Sequence, residues 1–387
     1  MFSDPTPFTP PTTDDDKLSW LRLIRSRRVG PATFHRLIAE YGSARAALIA
    51  LPDIARAAGV EKYTICPEGV VYAEQKAGRA AGAQLICRGD PAYPKALAEI
   101  SDAPPVLWCK GDLSLLARPM VALVGARNAS SLGTRMARKL AEGLSAAGVV
   151  VVSGLARGVD AAAHTAAVEG GTVAVMAGGV NVIYPTENTA LADEIGKKGL
   201  RVSEQPMGQE PAARHFPQRN RIISGLASAV VVVEAAAQSG SLITARMALD
   251  QGREVFAVPG HPFDGRASGC NMLIRDGATL VRCVDDILAA LSLDTQPSPH
   301  LANPQLDLPL NNKAAATRPG ATPAGRPWRD QLALHRKILD RLGPSPIDED
   351  QLLRDLALTP AEAADEILAL ELAGSISRAP GGLLSRN

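Results

Sequence analysis

The sequence predicts an α/β protein in which a parallel β-sheet with helices on both faces is flanked by a smaller helical domain on either side. Residues 119–283 alternate short β-branched runs with helical stretches of ~10–15 residues, which is typical of a parallel, Rossmann-like sheet. Residues 18–83 and 330–387 instead show mainly helical periodicity. The length of 387 residues also exceeds one ordinary domain of ~100–200 residues, so we expect several domains.

The predicted organisation has five parts in chain order. They are a loose tail (1–17), a helical domain (18–83), an extended Rossmann-like domain (84–293), a linker (294–329) and a C-terminal domain (330–387). The tail is rich in Pro and Asp and the linker contains seven prolines, compositions that are typical of extended segments. Three helical stretches and a final hairpin with Pro-Gly-Gly at its tip predict a winged helix for the C-terminal domain.

The helical domain contains a tight turn, Val29-Gly30-Pro31, between its first two predicted helices. This pattern is similar to a helix-hairpin-helix or SAM-like domain, in which backbone amides at the turn can bind a phosphate. Arginines are concentrated around the turn: Arg22, Arg25, Arg27, Arg28 and Arg36. A solvated helical face would account for them equally well, so both interpretations stay open.

The Rossmann-like domain contains seven predicted strands. Their sequences are MVALVG, VVVVSG, TVAVMAGG, LRVSE, AVVVVEA, EVFAVPG and ATLV. Four of the seven end in Gly. Ligands bind beside the carboxyl ends of the strands in such sheets, so the loops that follow these strands form the candidate site.

Composition excludes several classes of protein. The 41 Lys and Arg nearly balance the 40 Asp and Glu, which argues against a protein that coats DNA through bulk positive charge but permits a focal basic site. The five cysteines are dispersed without metal-ligand spacing and predict reduced thiols. The sequence shows neither a signal-peptide pattern nor a run of ~18 apolar residues. We therefore expect a cytoplasmic protein without a membrane span or a bound metal.

The first candidate loop runs from Gly125 to Gly133, between strand VALV and a helix. It departs from the dinucleotide fingerprint, because Arg127 replaces the second glycine and Ser153-Gly154 stands where the ribose-binding acid is expected. The loop places backbone amides, a serine hydroxyl such as that of Ser130 and a guanidinium at a helix N-terminus. This combination of groups suits a phosphate. The alternative is that the glycines serve the turn alone and Arg127 is an ordinary surface side chain.

The second candidate loop combines Ser153, Gly154 and Arg157 at the start of a helix. We interpret Asp160 as the N-cap of that helix. His164 follows one turn later and could join Asp160 in a metal site. No third ligand is nearby, so a cap and a local hydrogen bond are the favoured interpretation.

Two further loops complete the predicted site. The segment from Arg214 to Arg221 mixes cations with Phe216, and the segment from Gln238 to Thr244 opens another helix. Four such loops at one edge of a sheet predict a phosphate-binding pocket, with no catalytic residues and no cofactor. The candidate residues from these loops are Gly125, Arg127, Ser130, Gly133, Ser153, Gly154, Arg157, Phe216, Arg219, Asn220, Arg221, Ser239, Gly240, Ser241 and Thr244.

Six ordered motifs identify a family. They are G-A-R-N-A-S-S-L-G, S-G-L-A-R-G-V-D-A-A-A-H, V-I-Y-P-T-E-N, H-F-P-Q-R-N-R-I-I, S-G-S-L-I-T-A-R and G-R-E-V-F-A-V-P-G. Together, over roughly residues 89–284, they resemble the DNA-processing protein A family (DprA, also called Smf). The N-terminal hairpin and the C-terminal winged helix are similar to the outer modules of that family.

The resemblance implies a basic pocket that binds single-stranded DNA, and a homodimer through the Rossmann-like domain. It also implies that the protein passes the strand to a RecA-type recombinase during natural transformation or homologous recombination. It places Arg127 in the pocket, shaped by Gly125, Ser130 and Gly133. The second wall would be formed by Arg219, Asn220 and Arg221. Thr186 stands where family members often have a Lys or Arg after the Y-P pair. We therefore expect a lower affinity for DNA than in members that have this cation.

Three readings of the pocket compete. Aromatic residues make up 4% of the chain, so we expect phosphate contacts rather than extensive base stacking. The main rival is a nucleoside-monophosphate phosphoribohydrolase-like enzyme, but the segment between Ala235 and Leu249 lacks the acid that such an enzyme requires. A third possibility is an interaction scaffold with purely structural loops. We expect a DNA-binding protein that is not an enzyme.

The C-terminal domain departs from the usual winged-helix expectation of duplex binding. Its third predicted helix, 360–371, has four acids and no Lys or Arg. Residues 329–387 contain ten Asp and Glu against seven Lys and Arg. Such a charge repels phosphates, so the sequence predicts that this domain contacts protein.

Overall fold

The computed structural model describes residues 10–60, 62–292 and, in the C-terminal region, residues 335, 337–339, 341–342, 347–356, 358, 363, 367, 369–371, 375–379 and 383–386. The chain forms two compact units, residues 1–303 and 304–387. The predicted linker, 294–329, lies outside the described residues. No helix in the described part of the chain is long and apolar enough to cross a membrane.

The first unit begins with the predicted helical domain. Its helices are α1 (Asp14–Arg25), α2 (Pro31–Tyr41), α3 (Ala44–Ala57) and α4 (Glu68–Ala80). Helix α1 begins inside the segment predicted as a tail, because Thr13 and Asp16 form a reciprocal capping box at its N-terminus. Gly30 caps α2 and Pro31 occupies its first position, as the turn pattern predicts. Trp20 and Phe34 pack edge to face at 4.9 Å in the core of these helices.

Nine strands form one sheet in the described part of the first unit. They are β1 (Gln84–Cys87), β2 (Val106–Gly111), β3 (Met120–Val124), β4 (Val150–Ser153), β5 (Thr172–Val175), β6 (Leu200–Ser203), β7 (Ala229–Val232), β8 (Glu254–Ala257) and β9 (Thr279–Leu280). The seven predicted strands correspond to β3–β9, and their pairings are parallel as predicted. The antiparallel strands β1 and β2 extend the sheet at one edge.

Helices cover both faces of the sheet. They are α5 (Lys95–Ala98), α6 (Ser131–Ala146), α7 (Val159–Ala167), α8 (Thr189–Lys198), α9 (His215–Leu226), α10 (Gly240–Asp250), α11 (Ser268–Arg275) and α12 (Val284–Ala290). Alternate residues of β3 enter different cores, with Leu123 in the core under α6 and Val124 in the core under α9 and α10. This alternation is the period of two expected of a strand buried on both faces.

The order of the strands positions the site. The sheet runs β1-β2-β6-β5-β4-β3-β7-β8-β9, so the chain proceeds from β3 towards β6 on one side and from β7 towards β9 on the other. Strands β3 and β7 are therefore neighbours whose connections leave in opposite directions. The crevice beyond the carboxyl ends of two such strands is the preferred ligand site in this class of sheet.

The second unit contains β10 (Ile347–Asp348), α13 (Glu349–Leu356), β11 (Ile376–Ala379) and β12 (Leu383–Arg386). The three strands pair in the order β10-β12-β11, all antiparallel. Strands β11 and β12 are the predicted hairpin. The unit has its own core, which includes Ile338, Leu352, Ile367 and Leu384. These features agree with the predicted winged helix.

Candidate functional site

A cleft of about 570 Å³ opens between β3 and β7, at the switch in strand order. We call it the larger cleft. It is lined by three of the four predicted loops and by Asp160 and Ala156 from the remaining one. The predicted site residues found there are Gly125, Arg127, Phe216, Arg219, Asn220, Ser239, Gly240, Ser241 and Thr244.

A second cleft of about 250 Å³, the smaller cleft, shares part of this lining. The shared residues are Arg127, Ala156, Phe216 and Arg219. The predicted site residues that it adds are Gly154, Arg157 and Thr186. The two clefts therefore meet at Arg127 and Phe216 and form one connected site, long enough for an extended ligand.

Arg127 and Phe216 are in direct contact at this junction. The Arg127 guanidinium carbon lies 5.1 Å from the centroid of the Phe216 ring, a cation–π arrangement. Tyr184 lines the smaller cleft, and its ring centroid lies 5.8 Å from that of Phe216. Arg127 itself is exposed. The contact with Phe216 orients the guanidinium of an otherwise exposed side chain.

Arg219 lies buried below the junction. Its Nη1 donates to the carbonyl oxygen of Val175 at 2.9 Å, while its Nε is buried without a hydrogen-bond partner. A β-carbon at Gly154 would lie 1.7 Å from Nη1, so glycine is required for the guanidinium to fit. Burial lowers the pKa of Arg219 to about 10; Asp160 opposes this shift and Arg127 adds to it. Arg219 still carries its charge at neutral pH and adds positive potential beneath Arg127.

Asp160 and His164 support the second loop. The Asp160 carboxylate accepts from the backbone N–H groups of Gly154 and Ala156, at 3.1 and 3.3 Å. Asp160 lies inside α7, and Gly158 is the N-cap, so the interpretation of Asp160 as a cap is wrong. His164 Nε2 accepts from the N–H of Leu155, and burial lowers the His164 pKa to about 3. Both side chains bind the loop backbone, and the described residues contain no cluster of three or more ligands that could hold a metal.

The smaller cleft carries a weaker positive charge than the motif would suggest. Thr186 lines it and is exposed, at the position where the resemblance implies a cation in other members. Arg157 is also exposed, and its guanidinium lies 3.7 Å from the Glu187 carboxylate. Glu187 lines the same cleft and offsets part of the charge of Arg157.

The fourth loop supplies neutral polar groups to the larger cleft. Ser239 caps α10, and its hydroxyl lies 2.7 Å from that of Ser241. Thr244 is buried one turn further along the helix. A β-carbon at Gly240 would meet nothing within 4 Å, so the backbone is open to an approaching ligand.

Ser130 and Gly133 do not line either cleft; they hold the first loop together. The Ser130 hydroxyl donates to Glu234 Oε2 at 2.5 Å, and its backbone N–H donates to Oε1 of the same carboxylate at 3.0 Å. A β-carbon at Gly133 would lie 2.2 Å from Glu234 Oε2. The anion at the N-terminus of α6 is therefore the protein's own Glu234, where the loop pattern predicted a phosphate.

Ser153 and Arg221 also lie outside the clefts. The buried Ser153 hydroxyl donates to the carbonyl oxygen of Leu123 at 2.7 Å. Arg221 donates to Glu204 at 2.5 Å and pairs with Asp102 at 3.3 Å. Arg221 was expected in the second wall with Arg219, but two positions along a helix correspond to a rotation of about 200°, so the two side chains leave α9 on opposite sides.

Sequence reasoning missed several residues that line the larger cleft. Gln238 and Ile243 belong to a segment that the motifs had marked, so their neighbours were a usable signal. Glu234 lies two residues after the end of β7 and 104 positions from Ser130, so no local pattern links the two.

The arginines of the N-terminal hairpin divide into two groups. Arg22 donates to the carbonyl oxygen of Cys66 and to Glu68, and Arg25 donates to Glu74 and to the carbonyl oxygen of Glu204. These two arginines join helices to one another. Arg27, Arg28 and Arg36 are exposed, so the question of a phosphate at the hairpin concerns these three.

Family models match three consecutive parts of the chain. Residues 14–77 match the DprA-like N-terminal HHH domain, and residues 84–292 match the DNA recombination-mediator protein A. Residues 321–382 match the DprA winged helix domain. The central match alone covers more than half of the chain.

Individual relatives agree with this assignment. The chain is 48% identical to the DNA processing protein DprA of Streptococcus pneumoniae over 202 residues, which are 52% of this chain and 71% of that protein. It is 40% identical to the protein Smf of Escherichia coli over 301 residues, or 77% of this chain and 76% of that one.

Solved structures show the same fold. The DprA structure from Streptococcus pneumoniae has a TM-score of 0.60 and 39% identity, and the match covers 70% of this chain and 97% of that chain. A structure described as showing the single-stranded DNA binding mode of DprA from Helicobacter pylori has a TM-score of 0.51 and 30% identity, covering 55% of this chain and 97% of that one. The ordered motifs, the domain matches and these relatives together show that the chain belongs to the DprA/Smf family of DNA recombination-mediator proteins.

Proposed function

We propose that this protein binds single-stranded DNA by its phosphate backbone in the two joined clefts and delivers the strand to a RecA-type recombinase. The observation that carries this proposal is the exposed Arg127 guanidinium, oriented by Phe216 at the junction of the clefts with buried Arg219 beneath it. The DNA-binding mode described for the relative from Helicobacter pylori supports the same ligand. From the family likeness, we also propose a homodimer through the Rossmann-like domain.

The charge distribution supports phosphate contacts as the main source of affinity. Arg127, Arg157 and Arg219 line the clefts, while the chain as a whole has a net charge of only +1. A few focal contacts of this kind give binding that depends on salt and little on sequence.

We propose binding rather than catalysis because the carboxylates around the larger cleft have structural tasks. Asp160 holds the backbone of the second loop, and Glu234 holds the first loop. Between Ala235 and Leu249 the fourth loop and α10 contain no acid that could act on a ribosyl centre. This arrangement disfavours the phosphoribohydrolase alternative.

The decisive experiment replaces Arg127 by alanine. We expect the affinity for oligo-dT, measured by fluorescence anisotropy, to fall by roughly 1–3 kcal/mol, the range of a hydrogen bond to a charged group. The slope of the logarithm of the binding constant against the logarithm of the salt concentration should also become shallower, by the contribution of about one phosphate contact. Arg138→Ala is the matched control, because Arg138 is an exposed arginine of α6 that lines neither cleft. Equal affinities for wild type and Arg127→Ala would refute the site.

Recombinase delivery needs a separate measurement. We expect the wild type to accelerate assembly of a RecA-type filament on single strands that are coated with a single-strand-binding protein. Arg127→Ala should lose this acceleration in parallel with its affinity. If the wild type binds the strand but leaves filament assembly unchanged, the delivery role is wrong and the DNA-binding role stands.

A further inference from the structure

The loop between β8 and α11 exposes an aromatic side chain that the proposed function does not use. Phe263 is 95% exposed, more than any other large hydrophobic residue in the described part of the chain. Its ring lies 5.5 Å from that of His261 at an angle of 40°. Arg266, three positions later, is also exposed.

The loop is a built structure, so the exposure of Phe263 is a fixed feature. The N–H of Asp264 donates to the carbonyl oxygen of His261, and the N–H of Arg266 donates to the Asp264 carboxylate, both at 2.9 Å. At the base of the loop, Gly260 and Asn271 exchange two hydrogen bonds of 3.2 and 3.0 Å. These bonds hold the loop in a shape that presents the ring to solvent.

The loop is joined to the rim of the larger cleft. The N–H of Ala237 donates to the Ser268 hydroxyl at 3.0 Å, and the N–H of Gly269 donates to the carbonyl oxygen of Ala235 at 2.8 Å. Ala236, between these two residues, lines the larger cleft. A β-carbon at Gly269 would lie 2.8 Å from the carbonyl oxygen of Ala236, so the two segments are in close contact.

The surroundings of Phe263 suit a nucleobase better than a protein partner. A nucleotide can bind through one accessible aromatic face, on which its base stacks, and a nearby cation, which contacts its phosphate. A protein interface needs a wider apolar patch. Pro262 is the only other apolar residue between His261 and Arg266, and His261, Asp264 and Arg266 are polar and exposed.

We propose that this loop is a second contact for single-stranded DNA, at which Phe263 stacks on a base of the strand where it leaves the larger cleft. Arg266 then contacts an adjoining phosphate. The proposal rests on the proposed function, because the strand must first occupy the clefts. It extends the binding site beyond the four loops of the sheet edge and makes affinity depend on the length of the strand.

The test compares two lengths of oligo-dT with the full chain. For a strand of about 12 nucleotides, we expect Phe263→Ala to weaken binding by about 5- to 150-fold, the effect of one lost base stack. For a strand of about 4 nucleotides, which occupies the clefts alone, the affinity should be unchanged. Ile49→Ala is the control, because Ile49 is a 75% exposed apolar side chain of the N-terminal domain.

A second variant detects the stack directly. Phe263→Trp should keep the affinity of the wild type for the longer strand, and its added fluorescence relative to wild type should be quenched when that strand binds. Equal affinity of Phe263→Ala and wild type for the longer strand would overturn the proposal. So would a change of oligomeric mass in Phe263→Ala with unchanged DNA affinity, which would make the ring a protein contact.

The two variants, Arg127→Ala and Phe263→Ala, distinguish this proposal from the proposed function. If Arg127→Ala weakens binding of the short strand while Phe263→Ala leaves the longer strand unaffected, the second contact alone is wrong. If Arg127→Ala leaves the binding of both strands unchanged, the cleft assignment fails.

Discussion

At the scale of single residues, Arg127 and Arg219 share the clefts but differ in burial. The guanidinium of Arg127 is exposed, so replacing it removes its contact with Phe216 and any ligand contacts but leaves no buried charge unpaired. Arg219 is buried with Asp160 near it, and its removal would leave that carboxylate without its counter-charge. A loss of DNA binding on replacing Arg219 would therefore mix folding with recognition, whereas Arg127 reports on recognition alone.

Thr186 offers a gain-of-function prediction. We expect Thr186→Lys to tighten binding of oligo-dT at low salt, because it adds a cation to the smaller cleft, and the gain should fade as salt screens it. Thr165→Lys is the matched control: Thr165 is an exposed threonine of α7 outside both clefts. Titrations at several ionic strengths measure the effect, and an equal gain in both variants would show that Thr186 lies outside the binding path.

Glu234 provides a stability prediction. Glu234→Ala leaves the N–H and the hydroxyl of Ser130 without their acceptor in a partly buried place, which should lower the free energy of unfolding by about 1–3 kcal/mol. Urea denaturation measures this loss. Glu169→Ala removes a carboxylate that is paired with Lys198 on the surface and should cost less than about 1 kcal/mol. Equal losses would mean that the contact with Ser130 contributes little.

The residue scale also shows where sequence reasoning ends. The glycines, serines and arginines of the loops were visible as a group, and most of them do line the clefts. The exceptions depend on distant partners: Ser130 is held by Glu234, and Arg221 is held by Glu204 and Asp102. A composition that suits phosphate equally suits an internal carboxylate, so only the folded arrangement distinguishes the two.

At the scale of secondary-structure elements, α9 connects the clefts to the N-terminal domain. One side of the helix presents Phe216, Arg219 and Asn220 to the clefts. The other side holds Arg221 against Glu204, whose carbonyl oxygen accepts from Arg25 of α1. The same helix therefore shapes the DNA site and binds the interface between the two domains of the first unit.

This connection can be tested with Arg221. We expect Arg221→Met to lower the free energy of unfolding by about 3–5 kcal/mol, because it leaves the largely buried Glu204 carboxylate without its ion-pair partner. Burial raises the pKa of Glu204 and Arg221 opposes that shift, so the variant raises the folded-state pKa further. Below both folded-state pKa values Glu204 is protonated in wild type and variant alike, so the loss should be smallest at acid pH. It should grow as pH rises through the raised folded-state pKa of Glu204 in wild type and on to the higher pKa in the variant.

The control for Arg221 is a double replacement. Arg221→Met combined with Glu204→Leu exchanges the pair for apolar groups and should recover most of the lost stability. Unfolding curves for the single and double variants give the comparison. A double variant that is no more stable than Arg221→Met would show that the pair is not the source of the loss.

The elements themselves were largely predictable, for physical reasons. Strands β3–β8 are almost wholly buried, so their β-branched runs stand out in the sequence. Strands β1 and β2 precede the alternating region and pair antiparallel at the edge. The alternation of strand and helix patterns in the sequence, which predicts parallel strands, could not predict these two.

At the scale of the whole molecule, charge differs between the parts of the chain. Residues 1–328 contain 34 Lys and Arg against 30 Asp and Glu, whereas residues 329–387 contain seven against ten. The second unit has its own apolar core and winged-helix strands, which is a fold often used on duplex DNA. The net negative charge of residues 329–387 argues against such a role, because an acidic surface repels a polyanion.

We therefore expect the C-terminal unit to contact protein rather than DNA: a second subunit, the first unit or a recombinase. A chain truncated near Pro327 should retain its affinity for single strands within a few-fold, since both clefts belong to the first unit. The isolated fragment 329–387 has ten Asp and Glu in all and no Lys or Arg in its third predicted helix, so it should bind no duplex at moderate salt. Anisotropy titrations with single-stranded and duplex oligonucleotides, for both fragments and the full chain, measure these affinities. Micromolar duplex binding by the isolated unit would contradict the prediction, because a winged helix that binds DNA against its net charge must do so through specific groove contacts.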